Sequence, residues 1–274
     1  MRCGFINLDR ALERRARLEE SFRRYGKAGW TLGRFPALSA GHVEDAGVAG
    51  RLRPAEKACF LSHLHLLERL STDDGHCMIL EDDAVFGPRS CQLIDAAITT
   101  IPDGKWDILF TDVCLPKAKD MMNIFALRRS LLSGGQTLFR VIDLKGWSFA
   151  GATAYVVNGR SKRKLSGLLR RLRSYDCPYD LFLRDATRAS LLSAYMVFPF
   201  ATSLSEAADQ SQIQNGLGDP AEIIWNTFRK LVWIDRSLDD LDASLRAIET
   251  MFGDRESAIL GTLLSAMASP AATR

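Results

Sequence analysis

His76-Cys77-Met78-Ile79-Leu80 is a short apolar run that ends directly in Glu81-Asp82-Asp83, with Ala84-Val85 beyond. Such a run reads as a buried strand, with three consecutive carboxylates at its carboxyl end. In open α/β sheets, ligands bind beyond the carboxyl ends of strands. Like charges packed together repel, so the cluster calls for a cation. Oxygen donors favour a hard ion, Mg²⁺ or Mn²⁺, and that ion commonly serves a phosphate. The plainer alternative is a solvated acidic turn with one residue capping the next helix. The triplet's position flush against a buried strand favours metal.

Upstream, residues 2–8 (RCGFINL) read as a first buried strand. Residues 10–25 follow as an amphipathic helix, with Leu18, Phe22 and Tyr25 on one stripe. Residues 30–35 (WTLGRF) read as a second strand, and 36–53 as a loop with a helical turn. Pro54 suits a first helical position and opens a helix running to about Leu70. Apolar residues cover that helix on several sides, so it should be buried. Downstream, 106–110 (WDILF), 149–157 (FAGATAYVV) and 195–200 (YMVFPF) read as strands, and 159–173 as a basic helix. Gly216 to Pro220 is the clearest breaker, and two or three helices are expected over 221–268. Strands alternating with helices predict an α/β fold with a mostly parallel sheet flanked by helices. The expected division is a catalytic domain over 1–215 and a C-terminal helical extension over 216–274.

Composition sets the outer limits. The chain has 274 residues, 47% hydrophobic and 25% charged, the values of an ordinary globular protein. Disordered, collagen-like and disulfide-scaffold classes are excluded. A net charge of +3 is too small to argue for nucleic acid. The longest nearly apolar run, Leu191 to Ala201, is too short to cross a bilayer, and the N-terminus lacks an apolar signal region. Six cysteines occur without a CxxC pair, so they are expected to be reduced packing residues rather than a thiol zinc site. A cytoplasmic location is the expectation.

Glu81-Asp82-Asp83 with Trp106 to Asp112 downstream mimics the acidic pocket of a two-component receiver domain. The spacing argues against it. Residues 84–105 leave room for one helix and a loop, whereas a receiver needs a helix, a strand and another helix there.

An ordered set of segments resembles glycosyltransferase family 25, the lipopolysaccharide-type β-glycosyltransferases related to collagen galactosyltransferases. Phe5-Ile6-Asn7-Leu8-Asp9-Arg10, with Arg14 following, resembles the family's start, and Arg34-Phe35-Pro36-Ala37 its second motif. Glu56 to His63 is similar to its Gly-x-x-x-Cys-x-x-Ser-His helix, with Pro54-Ala55 where a glycine is usual. Leu80-Glu81-Asp82-Asp83 resembles its acidic metal motif, and Pro178-Tyr179-Asp180 its late Pro-x-Asp. Trp106-Asp107 and Gly151 to Tyr155 fall between in the expected order. The resemblance spans about residues 3–213 and not the tail.

The resemblance implies a GT-A fold, a UDP-sugar donor and inversion at the anomeric carbon. It places Glu81 and Asp83 on Mn²⁺ or Mg²⁺ against the donor diphosphate, with Asp82 between them as in a DxD motif. It places Asn7, Leu8 and Ala37 in the nucleotide pocket. Arg10 and Arg14 would reach phosphate or simply coat their helix, the common fate of exposed arginine. A third metal ligand often comes from late in such chains. No histidine lies beyond residue 76, so Asp209 or a water would serve.

An inverting transfer needs a base near the acceptor hydroxyl. Asp180 is the candidate, its alternative role being N-cap of the helix that starts near Leu181. Asp185 and Asp112 are weaker alternates. His63 would bond phosphate, orient a carboxylate or act catalytically, or else be a hydrogen-bonded core residue. His42, His65 and His76 gain no role. Seven bases between Arg160 and Arg173 are read as a solvated helix face, or as contact with anionic lipid or a phosphorylated glycolipid acceptor. The expected function is transfer of galactose, or second glucose, from a UDP-sugar to a saccharide of lipopolysaccharide or a related surface glycan. The expected partners are thus donor and glycan or glycolipid acceptor, with peripheral contact at the inner membrane surface. A metal-dependent nucleotidyltransferase and a catalytically degenerate glycan-binding relative are the alternatives.

Overall fold

The computed structural model describes residues 1–132, 139–205 and 220–236. The chain opens with β1 (Arg2–Asn7), α1 (Leu12–Tyr25), β2 (Thr31–Pro36), a short α2 (Ala40–Asp45) and α3 (Pro54–Leu70). Pro54 sits in the first turn of α3, and the Glu56 carboxylate accepts from the Arg53 backbone N–H at 2.9 Å. β3 (Cys77–Glu81) leads through β4 (Ala84–Val85) into α4 (Ser90–Thr100) and β5 (Ile108–Phe110). The single helix between β3 and β5 excludes the receiver topology. Then come α5 (Ala118–Leu132), β6 (Arg140–Asp143), β7 (Ala154–Val157), a 3₁₀ turn (Gly159–Ser161) and α6 (Lys162–Arg170). α7 (Tyr179–Arg188), β8 (Ala194–Phe198), β9 (Ser203–Leu204) and α8 (Pro220–Leu231) complete the described elements.

The main sheet has seven strands in the order β2-β1-β3-β7-β5-β8-β6. β2, β1 and β3 are mutually parallel, and β5 is parallel to β8. β7 runs against both β3 and β5, and edge strand β6 runs against β8. The fold is therefore α/β with a mixed, mostly parallel sheet. Three expected strands are clearly shorter than the segments read for them, that over 106–110 beginning only at Ile108. The run over 149–157 forms a strand only from Ala154, because Gly151 at φ +82° bends the chain first. The run over 195–200 stops at Phe198, before a proline that has no N–H to donate. The sequence reading lacked α5, β6 and the small β4-β9 sheet.

Alternation along the central strands builds two cores. Cys77 and Ile79 face one side with Phe60, Leu64 and Leu67 of α3. Met78 and Leu80 face the other with Leu18 of α1 and Ile94 of α4. Gly4 of β1 permits the close passage of α3, since a Cβ there would lie 2.5 Å from Leu66 Cδ1. Ile224, Phe228 and Leu231 of α8 join the α3 core. The described part of the expected C-terminal extension thus packs on the sheet, while 237–274 and Asp209 lie outside the described residues.

The topology collects loops at one sheet edge. β1 and β3 end there in Asn7 and Glu81, and antiparallel β7 begins there just after Thr153. The Glu81 N–H donates to Thr153 O at 2.7 Å and locks the two loops together.

Candidate active site

A two-lobed cleft lies at this edge. The first lobe, about 300 Å³, is lined by Asn7, Leu8, Arg10, Arg14 and Ala37 on one side. His63 of α3 and the full Glu81-Asp82-Asp83 triplet line it opposite, together with Ser39 to Gly41 and Ser62. The second lobe, about 540 Å³, is lined by Gly151, Thr153, Tyr179 and Asp180, and by Trp225 and Arg229 of α8. Glu81, Asp83 and Cys59 line both lobes. The structure therefore brings the proposed donor residues together in one lobe and sets Asp180 in the other, with two carboxylates at the junction.

Each acid of the triplet has a different environment. Asp82 Oδ2 accepts from Asn7 Nδ2 at 2.7 Å, and its Oδ1 lies 2.7 Å from Arg14 Nε. Burial nonetheless raises the Asp82 pKa above the ordinary carboxylate value. Arg14 also reaches Asp83 Oδ2 at 3.0 Å. It is thus no surface coat, but the counter-charge of the acid cluster. Burial, then the adjacent Glu81 and Asp82 charges, push the Asp83 carboxyl up to about 7 against the opposing pull of Arg14. Asp83 Oδ1 is buried with no hydrogen-bond partner among the described residues.

Glu81 is 29% exposed and takes the opposite shift. Burial pushes it up, but the His63 hydrogen bond and the charges of Arg14 and Arg229 prevail and keep it ionised. His63 Nε2 lies 3.2 Å from Glu81 Oε1, and its Nδ1 lies 3.0 Å from the Tyr155 hydroxyl. Tyr155 and Tyr179 hydroxyls are 2.7 Å apart, and the His63 ring stacks on Tyr179 at 4.2 Å. Burial raises both tyrosines, so both remain protonated. The two ring nitrogens of His63 thus bridge the Glu81 carboxylate and the tyrosine pair. His63 is fully buried, its ring held between Glu81 and Tyr155. Cys59, His63 and Glu81 offer donor atoms within 4.8 Å of one another, a grouping hidden in the sequence because only the helical i, i+4 step joins the first two. Burial and the surrounding carboxylates hold the Cys59 thiol well above its ordinary pKa.

Asp180 is in the first turn of α7, whose N-cap is Pro178, so the capping alternative does not hold. Its Oδ2 instead accepts from the Gly151 N–H at 2.7 Å. The alternates are otherwise engaged. Asp185 pairs with Arg184 at the surface, and buried Asp112 accepts from Arg229 Nε and NH2 at 3.0 and 2.6 Å. Arg229 also donates to Thr153 Oγ1 at 2.8 Å. Sequence reasoning missed Arg229 and Trp225, which lie beyond every motif, and gave Tyr155 no role.

The basic segment is largely committed to the protein. Arg160, Lys164 and Arg170 pair with Asp103, Asp107 and Glu68, and buried Lys162 donates to Leu70 O and Asp73 O. Among the described residues, no helix is long and apolar enough to cross a membrane.

An α/β protein with a divided acidic cleft at the carboxyl edge of its sheet has the layout of a two-substrate enzyme. Residues 4–183, about two thirds of the chain, match the family described as glycosyltransferase family 25 (LPS biosynthesis protein). The chain belongs to that family. No match is found among curated proteins. Among solved structures, the apo form of mouse xyloside xylosyltransferase 1 is similar at 10% identity and a TM-score of 0.32. That match covers 70% of this chain and 63% of the length of the mouse chain.

Proposed function

We propose that the protein is a GT-A-type, inverting, metal-assisted transferase that moves a hexose from a UDP-sugar to a saccharide of lipopolysaccharide or a related surface glycan. The observation that carries this reading is the junction of the two lobes. Glu81 and Asp83 face both, and Asp83 Oδ1 is a buried oxygen without a partner among the described residues. An all-oxygen pair with one orphaned oxygen fits Mn²⁺ or Mg²⁺, and Asp83 and Glu81 would hold it. When bound there, the ion would neutralise charge on the departing diphosphate.

The protein's own residues supply the rest. Asn7, fixed by Asp82, Ala11 and Arg34, would present the nucleotide with a rigid wall. Leu8 and Ala37 would add apolar surface for the base, and Arg10 a charge at the lobe's rim. His63 holds Glu81 in position, supported in turn by Tyr155 and Tyr179. Asp180, oriented by Gly151, would take the acceptor hydroxyl's proton as that oxygen attacks the anomeric carbon. Galactose is the first donor sugar to test and glucose the second. The expected setting is the cytoplasm.

Calorimetry of UDP binding with and without Mn²⁺ tests the donor site. The expected result is metal-dependent binding that Asp83→Ala abolishes while thermal unfolding stays cooperative. UDP binding that is absent, or indifferent to Mn²⁺, overturns the reading.

A further inference from the structure

Glu222, Trp225, Asn226 and Arg229 all line the second lobe. Their spacing of three, four and seven puts them on one face of α8, so a whole helical stripe forms one wall of the lobe. α8 lies outside the family match, which ends at residue 183. Trp225 is half-buried, packed against the main core and open to the lobe. Two guanidiniums, Arg184 and Arg229, meet five carboxylates in the lining of this lobe, Glu56, Glu81, Asp83, Asp180 and Glu222. Arg229 is already bound by Asp112, and Arg184 by Asp185.

We propose that this face of α8 is the acceptor-sugar platform, and that it takes a neutral, hydroxyl-rich pyranoside in preference to an anionic sugar. The proposal rests on the transferase reading above. An aromatic side chain fixed by the core offers a flat apolar surface to the C–H face of a sugar ring at little entropic cost. Carboxylates and amides around it match hydroxyls, which donate and accept in equal measure. Both guanidiniums of the lining are held by aspartates, so the lobe offers a phosphate or a uronate no uncommitted arginine to pair with, and an anionic sugar is disfavoured there. Arg229 acts as a positioning residue. It ties α8 to Asp112 and Thr153 at the sheet edge, which sets the height of the Trp225 ring over the cleft. The phosphorylated acceptor considered from the basic segment has no complement in this lobe.

Saturation-transfer NMR on the full chain with methyl β-D-galactopyranoside, methyl β-D-glucopyranoside and D-galacturonate tests the platform. At least one neutral glycoside should bind saturably, and galacturonate about tenfold more weakly or not at all. Trp225→Leu should weaken the glycoside about tenfold, with Trp225→Phe within about threefold of wild type. Asn226→Ala is the second variant should Trp225→Leu fail to fold, and it should weaken the glycoside while leaving UDP affinity unchanged. The proposal is overturned if neither glycoside binds, if galacturonate binds as well, or if the folded variants bind glycoside like wild type. A loss of UDP affinity in step with glycoside affinity also overturns it, because that marks a scaffold role. Wild-type protein that binds glycoside but not UDP defeats the donor-site reading and leaves α8 as a sugar-binding surface.

Discussion

Asp180 accepts from the Gly151 N–H, in a loop where Gly151 holds a left-handed φ of +82°. A Cβ at this position would meet its nearest neighbour, Cys114 N, at 3.6 Å, which is ordinary contact. The cost of Gly151→Ala is therefore conformational, about 1–2 kcal/mol, and it falls on the loop that orients the proposed base. Gly151→Ala should lower the transfer rate and leave UDP affinity within about twofold, since the donor lobe does not include this loop. Asp180→Asn keeps the shape but cannot accept a proton, and should abolish transfer with UDP affinity unchanged. Stopped-assay UDP release, read beside UDP calorimetry, separates the two effects. Reduced UDP affinity in Asp180→Asn would assign the residue to the donor side or to the scaffold. The same residue marks what single positions disclose in sequence. Its carboxylate was legible as chemistry, but its partner was 29 residues away across a loop, and only the fold supplies that neighbour.

Helix α6 and its flanks, Arg160 to Arg173, illustrate the element scale. Seven bases without an acid between them invite an electrostatic reading, because a sequence displays charges but not the partners brought by other elements. In the structure Asp107, before β5, gathers three donors. Ser161 Oγ donates at 2.6 Å, Lys164 Nζ at 2.6 Å and the Ser193 backbone N–H at 2.7 Å. Burial pushes the Asp107 carboxyl up, but these hydrogen bonds prevail and hold it below the ordinary value. A folded-state pKa below the unfolded one gives stability that is present above the unfolded value and lost as pH falls through the folded one. Wild-type protein should therefore lose this contribution only below about pH 4, the ordinary aspartate range. Asp107→Asn should cost about 2 kcal/mol at pH 7, with the difference from wild type shrinking as pH drops below 4. Urea melts at both pH values check it, and a pH-independent difference would mean that Asp107 acts by shape rather than by charge. The strands and α3 were readable because burial leaves period and composition in the sequence. β6, with two exposed ends, and the two-residue β4 and β9 leave too little pattern to read.

Across the whole molecule, one buried ion pair joins the last described helix to the sheet edge. Arg229 of α8 binds Asp112, which follows β5, and Thr153, which precedes β7. Burial raises the Asp112 pKa even with the guanidinium beside it, and Asp112 Oδ1 finds no hydrogen-bond partner among the described residues. Such a pair adds little over apolar replacements of the same shape, yet breaking it from one side strands a buried charge. Arg229→Met should therefore destabilise the fold by about 3–5 kcal/mol, and Asp112→Asn in the same chain should recover at least half of that loss. The double variant is the informative one. It keeps the Ile224, Phe228 and Leu231 packing that docks α8, so it should fold while its glycoside affinity falls, because the tie that sets Trp225 over the cleft is gone. Denaturant melts of the four proteins complete the cycle. If Arg229→Met unfolds like wild type, α8 is not held by this pair, and the acceptor wall would owe its position to apolar packing alone. No motif could have announced this link. Its two ends are 117 residues apart and pair an ordinary helical arginine with an aspartate read as a spare base, so it exists only once the sheet has brought β5 and β7 together.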